Sequence, residues 1–337
     1  MNKISRKMPR AVFAAAAVAT LALTACGGGG TGSSSNAGAG NFPTREVTMV
    51  VPYAAGGPTD ISARTLAKGM ETSLGKTVVV ENRPGASGIT GLSEVATAKN
   101  DGYTIVYSTG NSWEQSKLRQ TPYTFDSFIP IAGVMTQPYL LVAGKDAKYK
   151  TWDAMTKATA PITMSLSGVG TTGHVNMEIL FNQLGLKSQA VPFDGAGPAV
   201  QALVGGQTDV SLIDASVAMP FVKSGDLVVL GVMNPDGDKP LSYLPDAPTF
   251  ESKGVDMAEL SYTKYGVAAP KGTNEEVVKK LRDAVLASTS GDEFKKFSAD
   301  TYTPLLTGEG ESNWYKDVEA QADKTKASLD KFGIKLQ

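Results

Sequence analysis

The strongest constraint on the fold of this chain is a unit of strand, glycine turn and amphipathic helix, written once from Val47 to Met70 (VTMVVPYAAGGPTDISARTLAKGM) and again from Ile162 to Leu184. In the first copy Val47, Met49, Val50 and Val51 form a short apolar run, and Ile61, Leu66, Met70 and Leu74 then recur at roughly helical spacing. The apolar period therefore changes across Gly56 and Gly57. Pro58 suits a first helical turn, and Thr59 and Asp60 are residue types that cap or charge a helix start. Backbone N–H groups at such a start, approached closely because glycine has no side chain, make a site for a carboxylate or phosphate. An ordinary strand-to-helix connection has the same spelling, and it is the second copy that points to an anion site. There the strand Ile162–Leu166 runs into Ser167-Gly168-Val169-Gly170-Thr171-Thr172-Gly173-His174, and Val175, Ile179, Leu180 and Leu184 follow on one side of a helix. Two such loops, one per domain, would close on opposite ends of one ligand.

The rest of the body alternates in the same way. Thr77–Val80 and Tyr103–Tyr107 read as strands around a helix from about Ile89 to Ala98, which implies a mostly parallel sheet covered on both faces. Ser108, Thr109 and Asn111 place hydroxyls and an amide at a strand's carboxyl end, where ligands of open α/β sheets bind; plain turn chemistry is the alternative. Phe128 to Lys145 is apolar without helical period and reads as strands crossing into a second domain. That domain continues through a helix Trp152–Ala158, a strand Gln189–Phe193, a loop Asp194-Gly195-Ala196-Gly197, and a strand Asp209–Ile213 with Asp214 at its end. After Leu227–Val232 a proline-rich connection leads to Tyr262–Ala268, which crosses back, and helices begin near Asn274, Gly291 and Glu311. The expected architecture is α/β, with two doubly wound domains, 42–143 plus 265–337 and 144–264, and a ligand cleft between them.

At the other end of the chain, Lys3, Arg6, Lys7 and Arg10 precede an apolar run from Ala11 to Leu23, too short to span a membrane comfortably, which reads as an export signal. Leu23-Thr24-Ala25-Cys26 resembles the lipobox of bacterial lipoproteins, which implies a signal over 1–25, acylation of Cys26, and a body lipid-anchored outside the cell membrane, on the periplasmic side or the cell surface. Gly27 to Gly40 (GGGGTGSSSNAGAG) then serves as a flexible tether over 26–41. Four basic and no acidic side chains precede Cys26, so cleavage there takes the formal charge from −1 to −5. An acidic body argues against a nucleic-acid partner and against a basic membrane-binding face. Cys26 is the only cysteine, so no disulfide staples a body that is long enough for two domains.

Catalytic equipment is sparse. Gly168 to Gly173 (GVGTTG) spells the dinucleotide fingerprint between a strand and a helix, with Asp194 placed like its ribose-binding acid, so an exported dinucleotide-binding oxidoreductase is the rival reading. One histidine and one cysteine leave no donor set for a zinc site of His/Cys type. A Ser-His-Asp triad would have to use His174, and no G-x-S-x-G elbow is present. Ser73-Leu74-Gly75-Lys76 matches S-x-x-K, but Gly75 reads as a helix C-cap. His174, just inside a helix start, either donates to a ligand carboxylate or holds its own loop.

VPYAAGGPTDISAR, VVVENRPGASG with Gly91 following, DGYT at 101–104, SLSGVGTTGH, VPFDGAGPAVQALVGGQTD, DAPTFESKG and YGVAAPKGT together resemble the extracytoplasmic receptors of tripartite tricarboxylate transporters, the Bug-type binding proteins, from about Val47 to Phe297. The resemblance implies a periplasmic-binding-protein type II fold and no enzymatic activity. It implies a monomer that captures a citrate-like tricarboxylate or a dicarboxylate and delivers it to a permease of one large and one small subunit. Carried over residue by residue, it places Tyr53, Ala54, Ala55, Gly56, Gly57, Thr59 and Asp60 in the first ligand loop and Ser167, Gly168, Gly170, Thr171, Thr172 and His174 in the second. Ser108, Thr109, Phe193, Asp194, Gly195 and Asp214 are the further lining residues it suggests. Ala55 stands where a proline is common in the family. No cofactor is expected. Asp60 and Asp214 beside an anionic guest leave three options open: a helix cap, a protonated acid, or a divalent cation carried in with the ligand.

Overall fold

The computed structural model describes residues 41–193, 195–235, 237–333 and 335, so the signal, Cys26, the tether and Asp194 lie outside the described residues. Among the described residues ten strands form two five-stranded sheets of one design. The first contains β1 (Val47–Val51), β2 (Val78–Asn82), β3 (Thr104–Thr109), β4 (Phe128–Gln137) and β10 (Thr263–Pro270), in the order β2-β1-β3-β10-β4. The second contains β5 (Tyr139–Gly144), β6 (Ile162–Leu166), β7 (Ser188–Pro192), β8 (Val210–Asp214) and β9 (Leu227–Met233), in the order β7-β6-β8-β5-β9. In each, four strands run in one direction and the fifth, β10 or β5, lies antiparallel between its two neighbours. The sheets are therefore mixed, because the strands that cross between them enter in the opposite direction.

Both faces of each sheet are covered, which is why β5 reads as an unbroken apolar run and β1 as one interrupted only at Thr48, rather than as alternating strands. Val47, Met49 and Val51 face α1 (Pro58–Leu74), α8 (Glu275–Ser290) and α9 (Asp292–Asp300) through Leu66, Met70, Leu281, Val285 and Phe294. Val50 points the other way, into a cluster with Leu92 of α2 (Ile89–Ala96), Trp113 of α3 (Gly110–Leu118), and Trp314 and Val318 of α10 (Glu309–Phe332). Leu141 of β5 packs with Val175 and Leu180 of α5 (Thr172–Gln183), while Leu140 and Val142 pack with Leu203 of α6 (Ala196–Val204) and Met219 of α7 (Ala215–Ser224). The remaining helix, α4 (Trp152–Thr156), brings Trp152 and Met155 into the same layer as α5.

The chain passes from the first sheet to the second through Pro138 alone, between β4 and β5, and returns through the irregular segment 234–262 into β10. The crossings lie side by side, with Thr263 registered against Gln137. They are tied by Tyr265 Oη donating to Gln137 Oε1 (2.8 Å), a Tyr139–Thr263 hydroxyl pair (2.7 Å), and Thr136 Oγ1 donating to the Thr263 carbonyl (3.2 Å). α10 makes a third connection: Trp314 and Val318 pack on the first sheet's outer face, and Leu329 joins the cluster of the second sheet.

Candidate functional site

Among the described residues, four of the helices that follow parallel strands, α1, α3, α5 and α7, begin around one cavity of about 210 Å³, and residues from all four beginnings line it. The first sheet contributes Thr59 from the first turn of α1, and Thr109 and Asn111 from the start of α3. The second contributes Thr171, Thr172 and Gly173 at the start of α5, and Asp214, the N-cap of α7. The first N–H groups of a helix have no intrahelical partner and carry the positive end of its dipole. The crossings add Gln137, Tyr139, Thr263 and Tyr265. No lysine, arginine or histidine lines the cavity among the described residues. Burial raises the hydroxyls of Tyr53, Tyr139 and Tyr265, so they remain neutral hydrogen-bonding groups.

Each glycine loop is closed by a side chain four residues further on. Gly56, held at φ +81°, donates its N–H to Asp60 Oδ2 (2.8 Å), and Gly170, at φ +76°, donates to His174 Nδ1 (3.0 Å). Both positions favour glycine because the left-handed region penalises a Cβ. Asp60 also accepts from Asn82 Nδ2 (2.9 Å) and from Arg64, whose Nη2 lies 2.9 Å from Oδ1. Burial works to raise this carboxyl, but Arg64, the Gly56 N–H and Asn82 together hold it below the usual carboxylate range. Burial lowers His174, so the ring is neutral near pH 7; Nδ1 accepts from the loop and Nε2 lies 3.8 Å from Glu178. Asp60 and His174 are thus the braces of the two loops.

Of the residues expected from sequence, Tyr53, Thr59, Thr109, Ser167, Thr171, Thr172 and Asp214 line the cavity. Ser108 is fully buried behind it, bonded to Ser112, which also holds the Tyr53 hydroxyl (2.5 Å). Ala54, Ala55, Gly56, Gly57, Gly168, Gly170, Phe193 and Gly195 belong to the surrounding loops and are outside the lining. The four residues of the crossings escaped the sequence reading, as did Leu212, Ile213 and Gly173. A rule that paired crossing strands must floor the space between two sheets would have found the crossings.

The third glycine of GVGTTG has a packing reason. A Cβ on Gly173 would stand 2.8 Å from the Leu212 carbonyl oxygen, so this residue lets α5 approach β8. That close helix–strand contact needs glycine whatever the loop binds.

Comparison with known proteins places this geometry. Residues 62–333 match the family described as the tripartite tricarboxylate transporter family receptor, TctC. The protein BugT of Bordetella pertussis is 30% identical over 283 residues, which cover 80% of this chain and 84% of that protein. MatC of Rhodopseudomonas palustris, solved with bound malate, aligns at a TM-score of 0.70 and 28% identity over 86% of this chain and 100% of its own. A second R. palustris protein, solved with adipate, aligns at 0.71 and 26% identity over 87% of this chain and 99% of its own. The two sheets with their flanking helices are accordingly the two domains of a type II periplasmic-binding-protein fold. The oxidoreductase reading of the second loop is overturned by the same match, for this chain belongs to the tripartite tricarboxylate transporter receptor family and is a substrate-binding receptor, not an enzyme.

Proposed function

We propose that the protein captures a small dicarboxylate between its two lobes, 42–143 plus 265–337 and 144–264, outside the cell membrane, and delivers it to a permease of one large and one small subunit. The observation that carries this reading is the convergence of four helix N-termini from both sheets on one cavity that no cationic side chain lines. Fixed dipoles in a closing, water-poor cleft hold a carboxylate without an arginine clamp, which suits a body of formal charge −5. The malate and adipate held by the two relatives support a dicarboxylate over a citrate-like tricarboxylate. A cavity of about 210 Å³ suits a small metabolite acid. Thr59, Thr109, Thr171 and Thr172 are the proposed contacts, with the glycine loops around them. The resemblance of residues 23–26 to a lipobox supports anchorage through Cys26. Among the described residues no helix is long and apolar enough to cross a membrane, and no group of three or more potential ligand residues is placed to hold a metal ion.

Titration of the purified protein with malate, succinate, adipate and citrate, followed by calorimetry and thermal unfolding, tests this. A dicarboxylate held at 100 times its Kd adds about 2.7 kcal/mol of stability. Gly57→Val is the matching variant: Gly57 has φ −79°, and an added Cβ meets only the Ala54 carbonyl oxygen at 3.5 Å, so the backbone tolerates it. Its side chain would stand at the mouth of α1, and a loss of at least about tenfold in affinity, near 1.4 kcal/mol, is expected with unfolding of the unliganded protein unchanged. Retained affinity would remove the first loop from the site; a tighter citrate than dicarboxylate would move the ligand class.

A further inference from the structure

Resting on the dicarboxylate reading above, we propose that the cleft takes up its ligand together with one proton, which resides on Asp214. Asp214 is the one acidic side chain lining the cavity among the described residues, half-buried at the end of β8. The groups that face it from the packed elements are Tyr139 of β5, Tyr265 of β10, Thr172 of α5 and its own helix start, with Tyr53 and Tyr107 further off beside Tyr265. None of these is a cation. Among the described residues Asp60, beside the first loop, already has Arg64, Asn82 and the Gly56 N–H as partners, and Glu178, beside the second, is engaged by Ser188.

A dianion entering this space puts like charges beside the Asp214 carboxylate, an arrangement in which one of the carboxyl groups holds its proton. Burial has prepared the change, pushing the Asp214 carboxyl up to about 6 against the lowering effect of Tyr139. About one molecule in ten is then protonated at pH 7, so completing the protonation costs about tenfold in affinity. In return the neutral acid becomes an O–H donor to a ligand carboxylate oxygen, a short charge-assisted hydrogen bond in a cavity without other strong donors than N–H and hydroxyl. The proton comes from solvent on capture and returns to it on release.

The measurement is calorimetry of malate binding to the full protein in buffers of different ionisation enthalpy near pH 7.5, repeated with succinate and adipate. Uptake close to one proton per ligand is expected, with Kd rising about tenfold per pH unit above about 6.5. Asp214→Asn should bind with no proton uptake and a flat pH profile. Three results would overturn the proposal: a wild-type Kd independent of pH, proton uptake that survives in Asp214→Asn, or binding abolished by chelator and restored by magnesium or calcium. The first two refute the proton; the third replaces it with a cation. Binding without proton uptake leaves the dicarboxylate reading standing, whereas no heat from any of the three acids at any pH removes both.

Discussion

Replacing Trp314 by alanine is expected to remove about 3–5 kcal/mol of stability, the range for truncating a buried tryptophan. Trp314 is 1% exposed and sits where α10 meets β4, β10 and α3. Its ring lies 5.1 Å from Trp113 and 5.1 Å from Tyr315, both edge-on, and such pairs contribute about 0.5–1.5 kcal/mol beyond burial. The sheet makes room for the indole with two glycines: a Cβ on Gly133 would stand 2.8 Å from Trp314, and one on Gly266 only 2.5 Å from it. Gly266→Ala should therefore also destabilise, by about 1–3 kcal/mol, through overpacking. Against a usual total of about 5–15 kcal/mol, the tryptophan change alone takes a large fraction. Urea unfolding followed by near-ultraviolet circular dichroism reads both variants. A Trp314→Ala protein within 1 kcal/mol of the native one, as an order of magnitude, would mean that α10 is held elsewhere, chiefly by its far end at Leu329.

Much of the architecture was legible because the signals are local. The change of period at Gly56–Gly57, Pro58 in the first helical turn, and Gly75 as a left-handed C-cap each depend on a few neighbouring residues, and each stands where the sequence placed it. The apolar stretch 128–144 was readable as crossing strands for the same reason. What the sequence did not reveal is set by distant pairing. β10 inserts between β3 and β4, and β5 between β8 and β9, so sheets expected to be mostly parallel carry two antiparallel pairings each.

The site divides along the same line. Thr59, Thr109, Thr171 and Thr172 were found because helix starts have a spelling. Gln137, Tyr139, Thr263 and Tyr265 were not, since they reach the cavity only through the register that sets Thr263 against Gln137. The braces were visible as residue types and ambiguous in role, because an aspartate that caps its own loop has the same local spelling as one that meets a ligand. Asp60 proves to be the former, while Asp214 stands in the cavity wall.

A second large effect is expected at Glu114 of α3, where Glu114→Gln should stabilise the protein by about 3 kcal/mol at pH 8 and leave it nearly unchanged at pH 4.5. Glu114 is 2% exposed, and its partner is Gln321 of α10, whose Nε2 donates to Oε1 at 2.8 Å. Lys117, one turn along α3, is engaged by Glu319 and Asp323 at 3.4 Å each, and Glu114 forms no ion pair among the described residues. Burial, only partly offset by Gln321, raises this carboxyl from 4.5 to about 7. The unfolded chain loses the proton near 4.5 while the folded one keeps it to about 7, so between those values the folded state binds more protons and its stability falls as pH rises. Above about pH 7 the loss is complete, and at about 1.4 kcal/mol per pH unit the window amounts to about 3 kcal/mol. Glutamine keeps the shape and can still accept from Gln321, whose Oε1 goes on accepting from the Tyr262 N–H at 2.9 Å. Asp214 and the other carboxyls are common to both proteins and cancel in the difference. Urea unfolding of the pair at pH 4.5 and pH 8 decides the matter. A gap that widens with pH in favour of glutamine supports a buried carboxyl without a cation, whereas a constant gap, or a glutamine variant weaker at pH 8, would show that the ionised group is stabilised where it stands.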